Sequence, residues 1–369
     1  MSSTTQPTIA IAGGGTGGHL CPAVAVAEAL VRLQPEARVE FFGSGKELER
    51  KILAHTGFSY RVTDCAPVNL GGAWRTAKGV FQARRLLRKL APDVVLGLGG
   101  YVSAPGVLAA RTLGIPIVLF EPNAVAGNAN RVLSRWAQAA YVHFPETELG
   151  CPTLPLGTPI GAAVSRGLGC SRMAAIRALG LDPRLPTLLI MGGSQGARPL
   201  NEWAAEQLAE GDLPGFNAIH LCGRATDPED LRAAYADAGV RAYVQPFVRQ
   251  IGTLYRAADL ALVRGGGGTL AELQAVGLPA RVVPLPSSAG DHQRKNAHGF
   301  AASGAGDVLE QDGLDAEAWR ETLAVLTDSD QLKRWRSAAL RAGRPQAARR
   351  VAEDLLQRIT RQAELRAVA

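Results

Sequence analysis

The chain has 369 residues, 47% of them hydrophobic and 5% aromatic, with a formal net charge of +7. That length favours two domains, each with its own core, while the sequence holds no uncharged apolar run of about eighteen residues and no basic-flanked apolar leader, so neither a membrane span nor a secretory signal is expected. Five scattered cysteines without C-x-x-C spacing and histidines without an H-E-x-x-H pattern disfavour a disulfide framework and a metal cage, and the positive charge favours anionic partners such as nucleotide phosphates, lipid pyrophosphates or an acidic membrane over nucleic acid, for which no recognition pattern is visible.

Short apolar runs alternate with longer amphipathic stretches, the βα repeat of a parallel sheet. The first expected strand, Thr8–Ala12, runs into Gly13-Gly14-Gly15-Thr16-Gly17-Gly18-His19. Consecutive glycines allow a tight turn whose bare N–H groups face an anion at the start of the next helix. His19 puts an imidazole there, just before Pro22 at an expected helix start. The segment is not G-x-x-x-x-G-K-[ST], which disfavours a Walker-type ATPase. The second strand, Val39–Phe42, does not end in a ribose-binding acid, which disfavours a dehydrogenase.

The stretch Ala66–Ala91 follows, with no acid between Asp64 and Asp93. It carries Arg75, Lys78, Arg84, Arg85, Arg88 and Lys89, interleaved with Trp74, Val80 and Phe81. Such a helix fits a membrane interface or a surface helix packed on the sheet; the two agree if only the end around Trp74 to Phe81 touches lipid. Strand Asp93–Gly97 leads into a second glycine turn, Gly97–Pro105. Strand Pro116–Phe120 ends in Phe120-Glu121-Pro122-Asn123, making Asn123 a cleft-edge residue or an ordinary turn residue, and Ala139–His143 is the fifth strand.

A stretch rich in Pro and Gly, Cys151–Ser171, marks a boundary, after which the same grammar restarts. Strand Thr187–Met191 leads into Gly192-Gly193-Ser194-Gln195-Gly196-Ala197, where Ser194 can donate to a phosphate, cap the helix, or both. Strands Ala218–Leu221 and Ala242–Gln245 come next, then Leu260–Val263 with a fourth glycine turn, Arg264–Glu272. That turn opens a helix whose positive end suits a pyrophosphate. Glu272, on its first turn, reaches a ribose diol or merely favours the helix dipole. After strand Arg281–Pro284, the run Gly290–Ala297 offers Asp291, Gln293 and Asn296 to a polyhydroxyl ligand, or forms a plain polar loop. Four glycine turns at strand ends, two in each half, point to a phosphorylated ligand. The fold class expected is α/β, two Rossmann-like parallel-sheet domains with the ligand cleft at the carboxyl ends of the strands. The expected divisions are 1–160, 161–345, and a C-terminal helix in 346–369 that packs back on the body.

Taken together, Gly-Gly-Thr-Gly-Gly-His, Gly-Gly-Tyr-x-Ser-x-Pro, Glu-x-Asn, Gly-Gly-Ser-Gln-Gly-Ala and Asp-His-Gln-x-x-Asn-Ala, in this order, resemble the MurG family of bacterial peptidoglycan glycosyltransferases. The resemblance covers roughly residues 8 to 340. It implies the GT-B fold and transfer of N-acetylglucosamine from UDP-GlcNAc to the C4 hydroxyl of the undecaprenyl-pyrophosphate-linked muramyl-pentapeptide, with inversion. It also implies a peripheral place on the cytoplasmic face of the plasma membrane, on an anionic surface, and no cofactor or catalytic metal. By position, it implies that Ser194 meets the UDP phosphates. Gly267, Gly268, Thr269, Leu270 and Ala271 would wrap the pyrophosphate and nucleoside. Glu272 would hold the ribose, Val248 the uracil through its backbone, and Gln293 the sugar hydroxyls. Thr16, Gly17, Gly18 and Asn123 would approach the sugar and the acceptor, with His19 as general base or charge stabiliser.

The chain departs from that family's pattern. Phe120-Glu121-Pro122-Asn123 replaces His-Glu-Gln-Asn, the donor loop is all glycine, and Gly161 stands where the hinge arginine would meet the donor diphosphate. Arg264 or Arg198 is the candidate replacement. Two other readings therefore stand beside the first: a divergent GT-B transferase with another nucleotide sugar or acceptor, and a non-catalytic relative that binds nucleotide sugar or lipid.

Overall fold

The structure, a computed structural model, describes residues 6–67, 72–193, 196–210, 213–224 and 226–368. The chain divides into two compact units, Met1–Gly161 with Pro345–Ala369, and Ala162–Arg344. The C-terminal helix Ala347–Val368 belongs to the first unit and packs on its core.

The first unit is a seven-stranded sheet in the order β3-β2-β1-β4-β5-β6-β7. Its strands are β1 Thr8–Ala12, β2 Arg38–Gly43, β3 Ser59–Val62, β4 Val94–Gly97, β5 Ile117–Glu121, β6 Ala139–Val142 and β7 Thr153–Leu154. The second is a six-stranded sheet in the order β10-β9-β8-β11-β12-β13. Its strands are β8 Thr187–Met191, β9 Asn217–Leu221, β10 Arg241–Gln245, β11 Leu260–Val263, β12 Ala280–Val282 and β13 Gly306–Val308. The described strand pairs are parallel, as Ile9 beside Val39 and Val94 shows in the first sheet, and Ile190 beside His220 and Leu262 in the second.

Both sheets reverse their strand order between neighbours, β1 with β4 and β8 with β11. Those four strands are the ones that carry the four glycine turns. Ligands of open α/β sheets bind outside the carboxyl ends of strands at such a reversal, so the topology gathers two glycine turns at one point in each unit.

Strands buried on both faces read as continuous apolar runs, and the central strands do so. In β1, Ile9 and Ile11 face a core with Leu20, Val26 and Leu30, which Val351 and Leu355 of the C-terminal helix complete. Ala10 and Ala12 face the opposite core with Ala83, Leu87 and Val107. The small side chain of Ala12 matters, because a Cβ at Gly106 would lie 2.6 Å from its own. In the second unit Leu188 and Ile190 pack with Trp203, Leu208 and Trp319, and the two indoles meet edge to face at 5.2 Å.

Two features differ from expectation. The edge strands β3, β7 and β13 were not expected; Ser59-Tyr60-Arg61-Val62 is largely exposed, Thr153–Leu154 lies in the Pro/Gly stretch, and Gly306–Val308 has three residues. An edge strand has one sheet neighbour and needs no apolar run. Second, the first helix spans Gly17–Leu33, so Pro22 lies inside it rather than at its start. The glycines themselves form the first turn, placing Pro22 close enough to the N-terminus that few ladder bonds are lost.

Candidate active site

In the first unit, the chain leaves β1 through Gly13, Gly14 and Gly15 at φ +144°, +157° and +83°. A Cβ at Gly13 would lie 2.6 Å from that of Leu98, and one at Gly14 would lie 2.5 Å from a carboxylate oxygen of Glu49. Only glycine fits there. Glu49, from the short helix Glu47–Leu53, is buried at 1% exposure. Its Oε1 accepts the Gly15 N–H at 2.6 Å and the Ser44 hydroxyl at 2.8 Å. Its Oε2 accepts the Ser44 and Gly45 N–H groups, both at 2.9 Å, and the Tyr60 hydroxyl at 2.5 Å. Burial alone would raise this carboxyl's pKa, but those bonds outweigh it and hold the value below normal. Glu49 therefore anchors the first glycine turn from beneath.

Thr16 is the exposed N-cap of the Gly17–Leu33 helix, and Gly17, Gly18 and His19 form its first turn. His19 is half-buried, with Nδ1 shielded from solvent. From the second glycine turn, Tyr101 stacks under Lys46, whose Nζ lies 5.5 Å from the ring centre. Asn123 follows β5 and is fixed by the buried Glu121, whose Oε1 accepts its N–H at 3.1 Å and its side-chain amide at 2.9 Å. Oε2 of Glu121 accepts the Gly127 N–H and the Asn130 amide. Asn130 also lies against the second glycine turn, where a Cβ at Gly99 would be 2.8 Å from its Nδ2. One carboxylate thus ties the Asn123 loop to that turn.

In the second unit, Ser194 lies outside the described residues. The flanks of its turn are described: Gly193 and Gly196 have φ +84° and +79°, and a Cβ at Gly196 would fall 2.4 Å from the Cys222 carbonyl. That carbonyl is held by the Asn201 amide at 2.8 Å, and Asn201 by the buried His220 at 2.9 Å. The other ring nitrogen of His220 meets the Tyr235 hydroxyl at 3.0 Å. Burial pushes the His220 pKa down to about 3, so the ring is neutral and acts as a strut.

The helix Gly267–Val276 begins at the fourth glycine turn. Gly268 has open space where a side chain would stand. Leu270 and Ala271 are buried and face the core, so only their backbones can meet a ligand. Glu272 receives the Tyr255 hydroxyl on Oε2 at 2.7 Å. Val248 lies half-buried in the loop between β10 and the Ile251–Ala257 helix. Gln293, second residue of the His292–Ala302 helix, accepts the Leu285 N–H at 3.1 Å. It lines a cavity of about 660 Å³ with Gly192, Arg198, Arg264, Ser287 and Gln311.

The two candidate replacement arginines separate here. Arg264 is buried, and its guanidinium donates to the Val283 and Pro284 carbonyls at 3.2 Å and to Gln311 at 2.6 Å. It serves as a structural clamp. Arg198 is largely exposed at the cavity rim, paired with Glu202 at 2.6 Å. A phosphate can compete for it.

The basic segment forms the helix Gly72–Leu90. Gly79, Ala83, Leu87 and Leu90 make its buried face, packed on the Gly100–Leu113 helix. Gly79 approaches so closely that a Cβ would fall 1.7 Å from the Asp64 carbonyl. Trp74 and Phe81 are 77% and 74% exposed, on the outward stripe with Lys78, Arg85 and Arg88 at helical spacing. The helix therefore packs on the body and presents aromatics to solvent. Among the described residues, no helix is long and apolar enough to cross a membrane, and no group of three or more His, Cys, Asp or Glu is placed to hold a metal ion.

Sequence reading missed Glu49, Tyr255 and the Asn201–His220–Tyr235 group, and quoted Glu121 without giving it a role. Each acts through a buried contact with a residue far away in sequence, which no local pattern announces.

Comparison with known proteins agrees with this arrangement. Residues 9–142 match the glycosyltransferase family 28 N-terminal domain, and residues 187–351 match its C-terminal domain. A protein of Acidithiobacillus ferrooxidans named UDP-N-acetylglucosamine--N-acetylmuramyl-(pentapeptide) pyrophosphoryl-undecaprenol N-acetylglucosamine transferase is 40% identical over 94% of this chain and 96% of its own. One of the same name from Symbiobacterium thermophilum is 36% identical over 94% and 95%. Among solved structures, MurG of Acinetobacter baumannii superposes with a TM-score of 0.78 and 30% identity, covering 95% of this chain and 99% of that one. A UDP-GlcNAc 2-epimerase from Neisseria meningitidis, 16% identical with a TM-score of 0.68 over 95% of this chain and all of its own, shares the fold.

Proposed function

The chain belongs to glycosyltransferase family 28, and from that premise we propose that it transfers N-acetylglucosamine from UDP-GlcNAc to the C4 hydroxyl of undecaprenyl-pyrophosphoryl-MurNAc-pentapeptide. The observation that carries this reading is the pairing of glycine turns at the strand reversal of each sheet, with Glu272 and Gln293 beside the pair in the second unit. The second unit takes the donor. The Val248 backbone meets the uracil, Glu272 the ribose, and the first turn of the Gly267–Val276 helix, with Ser194, the pyrophosphate. Gln293 meets the sugar. Arg198 takes over part of the work of the arginine that Gly161 replaces.

The first unit takes the acceptor, with Thr16, Gly17, Gly18 and Asn123 facing it. The acceptor's C4 oxygen attacks the anomeric carbon as the bond from that carbon to UDP breaks, and the electron pair leaves with UDP. His19 takes the hydroxyl proton. A positioned base contributes about 10²–10⁴-fold in rate. The N–H groups of a helix N-terminus stabilise the departing diphosphate, so the scheme assigns no step to a metal or cofactor. The exposed Trp74 and Phe81, with the cations beside them, dock the protein peripherally on the anionic cytoplasmic face of the plasma membrane. Nucleic acid has no part.

The loss of the hinge arginine supports a second reading, a different nucleotide sugar. Calorimetric titration with UDP-GlcNAc, UDP-GalNAc and UDP-glucose separates the two. Selective UDP-GlcNAc binding, lost in Gln293→Ala, is the expected result. Preference for another sugar, or no binding to any of the three, overturns the donor assignment, the latter leaving another nucleotide sugar or a non-catalytic role.

A further inference from the structure

The Ile251–Ala257 helix joins two parts of the donor site that lie far apart in sequence. The loop before it carries Val248, and its fifth residue is Tyr255. Tyr255 is 4% exposed, and its hydroxyl donates to Oε2 of Glu272 at 2.7 Å. Among the described residues it is the one hydrogen-bond partner of that carboxylate. Glu272 keeps some exposed surface while its carboxyl is enclosed, and burial pushes its pKa up to about 7, with the Tyr255 bond opposing the rise. An enclosed carboxylate with one oxygen already satisfied has one oxygen to offer.

We propose that Tyr255 is a positioning residue for the donor: by holding Oε2 of Glu272 it turns Oε1 toward the ribose 2′ and 3′ hydroxyls, and so links base and ribose recognition through one helix. This rests on the ribose assignment of Glu272 made above. A buried tyrosine that only fills space would give no such selectivity, and that difference makes the proposal testable.

The experiment compares wild type and Tyr255→Phe with UDP-GlcNAc and its 2′-deoxyribose analogue, reading donor KM and kcat separately. The Tyr255 bond is already made without donor, so what Tyr255→Phe takes from binding is the orientation of Oε1: the UDP-GlcNAc KM should rise by about tenfold, the equivalent of about 1.4 kcal/mol of ribose contact. kcat should stay within about twofold, and the deoxy donor should be penalised much less. Equal penalties on both donors, or an unchanged KM, would overturn the proposal. Wild type that does not distinguish the two donors would overturn the ribose assignment and the proposal together, whereas a ribose-sensitive wild type whose discrimination persists unchanged in Tyr255→Phe overturns only the latter. A second measurement needs no variant. The ionised carboxyl accepts ribose hydroxyls, so donor KM should rise as pH falls through about 7, by up to about tenfold per unit, and be flat above it. A flat profile from pH 6 to 8 would contradict the role given to the carboxylate. In Tyr255→Phe the inflection should move to higher pH, because a bond that favoured the ionised form is gone.

Discussion

Glu49→Gln tests how the first glycine turn is held. Glutamine keeps the shape of the side chain but offers one acceptor and two donors where the carboxylate offered two acceptors. The amide oxygen goes to the Oε2 position, which faces the N–H groups of Ser44 and Gly45 and the Tyr60 hydroxyl. The amide nitrogen then faces the Gly15 N–H, which now meets the carboxylate at 2.6 Å. That bond becomes donor against donor, and the remaining ones lose their charge. A bond to a charged group contributes roughly 1.5–3 kcal/mol, and a buried donor left unmet costs about 1–3. Together the loss comes to about 3–5 kcal/mol, a large share of the roughly 5–15 kcal/mol that hold a typical domain. The assay is urea unfolding, read as a lower midpoint at constant slope. The native pKa of Glu49 lies below its unfolded value near 4.5, so this stabilisation is present above that value and lost as pH falls through the native one. The gap between wild type and variant should therefore narrow in acid. A loss under about 1 kcal/mol at neutral pH, where the bond inventory demands more, would refute the anchoring role.

Three further outcomes are expected. His19→Ala should cut turnover by about 10²–10⁴-fold with calorimetric UDP affinity nearly unchanged; full activity would remove its catalytic role. Changing Trp74 and Phe81 together to Ser should weaken binding to anionic vesicles without lowering the melting temperature, since both side chains are exposed. Equal binding by both proteins would leave that helix a packing role only. Gly161→Arg should fold normally, because a Cβ there meets nothing within 4 Å, and should strengthen UDP binding if the missing arginine limits it; unchanged affinity would show that Arg198 suffices.

What could be read from sequence follows physical lines. The central strands announce themselves because both faces are buried, which forces unbroken runs such as Leu188-Leu189-Ile190-Met191. The glycine turns announce themselves because φ values such as those at Gly13, Gly193 and Gly196 exclude other residues. Edge strands carry no such constraint, and Ser59–Val62 reads like loop. The helix start was misplaced because Pro22 is a stronger local signal than the glycines that actually open the helix. In choosing between Arg264 and Arg198, sequence offers two equal cations, and only burial shows one of them spent on carbonyls. Tyr255 and Glu49 were illegible for the same reason: a polar side chain gains its meaning from a partner that tertiary folding brings to it.

The return of the C-terminal helix to the first unit bears on how the chain is made. Val351 and Leu355 complete the core under Leu20, Val26 and Leu30, and the Tyr141 hydroxyl is met by Asp354 at 2.7 Å. Domains generally fold in order of synthesis, yet the first unit here holds its last 25 residues in reserve (345–369) until the second has been translated. Until then the helix that bears His19, already packed on the sheet, lacks the part of its cover that Val351 and Leu355 supply. Translation of residues 345–369, rather than emergence of the glycine turn, is what lets the first unit become a finished globule, and chains cut short near residue 345 would leave that unit's core incomplete.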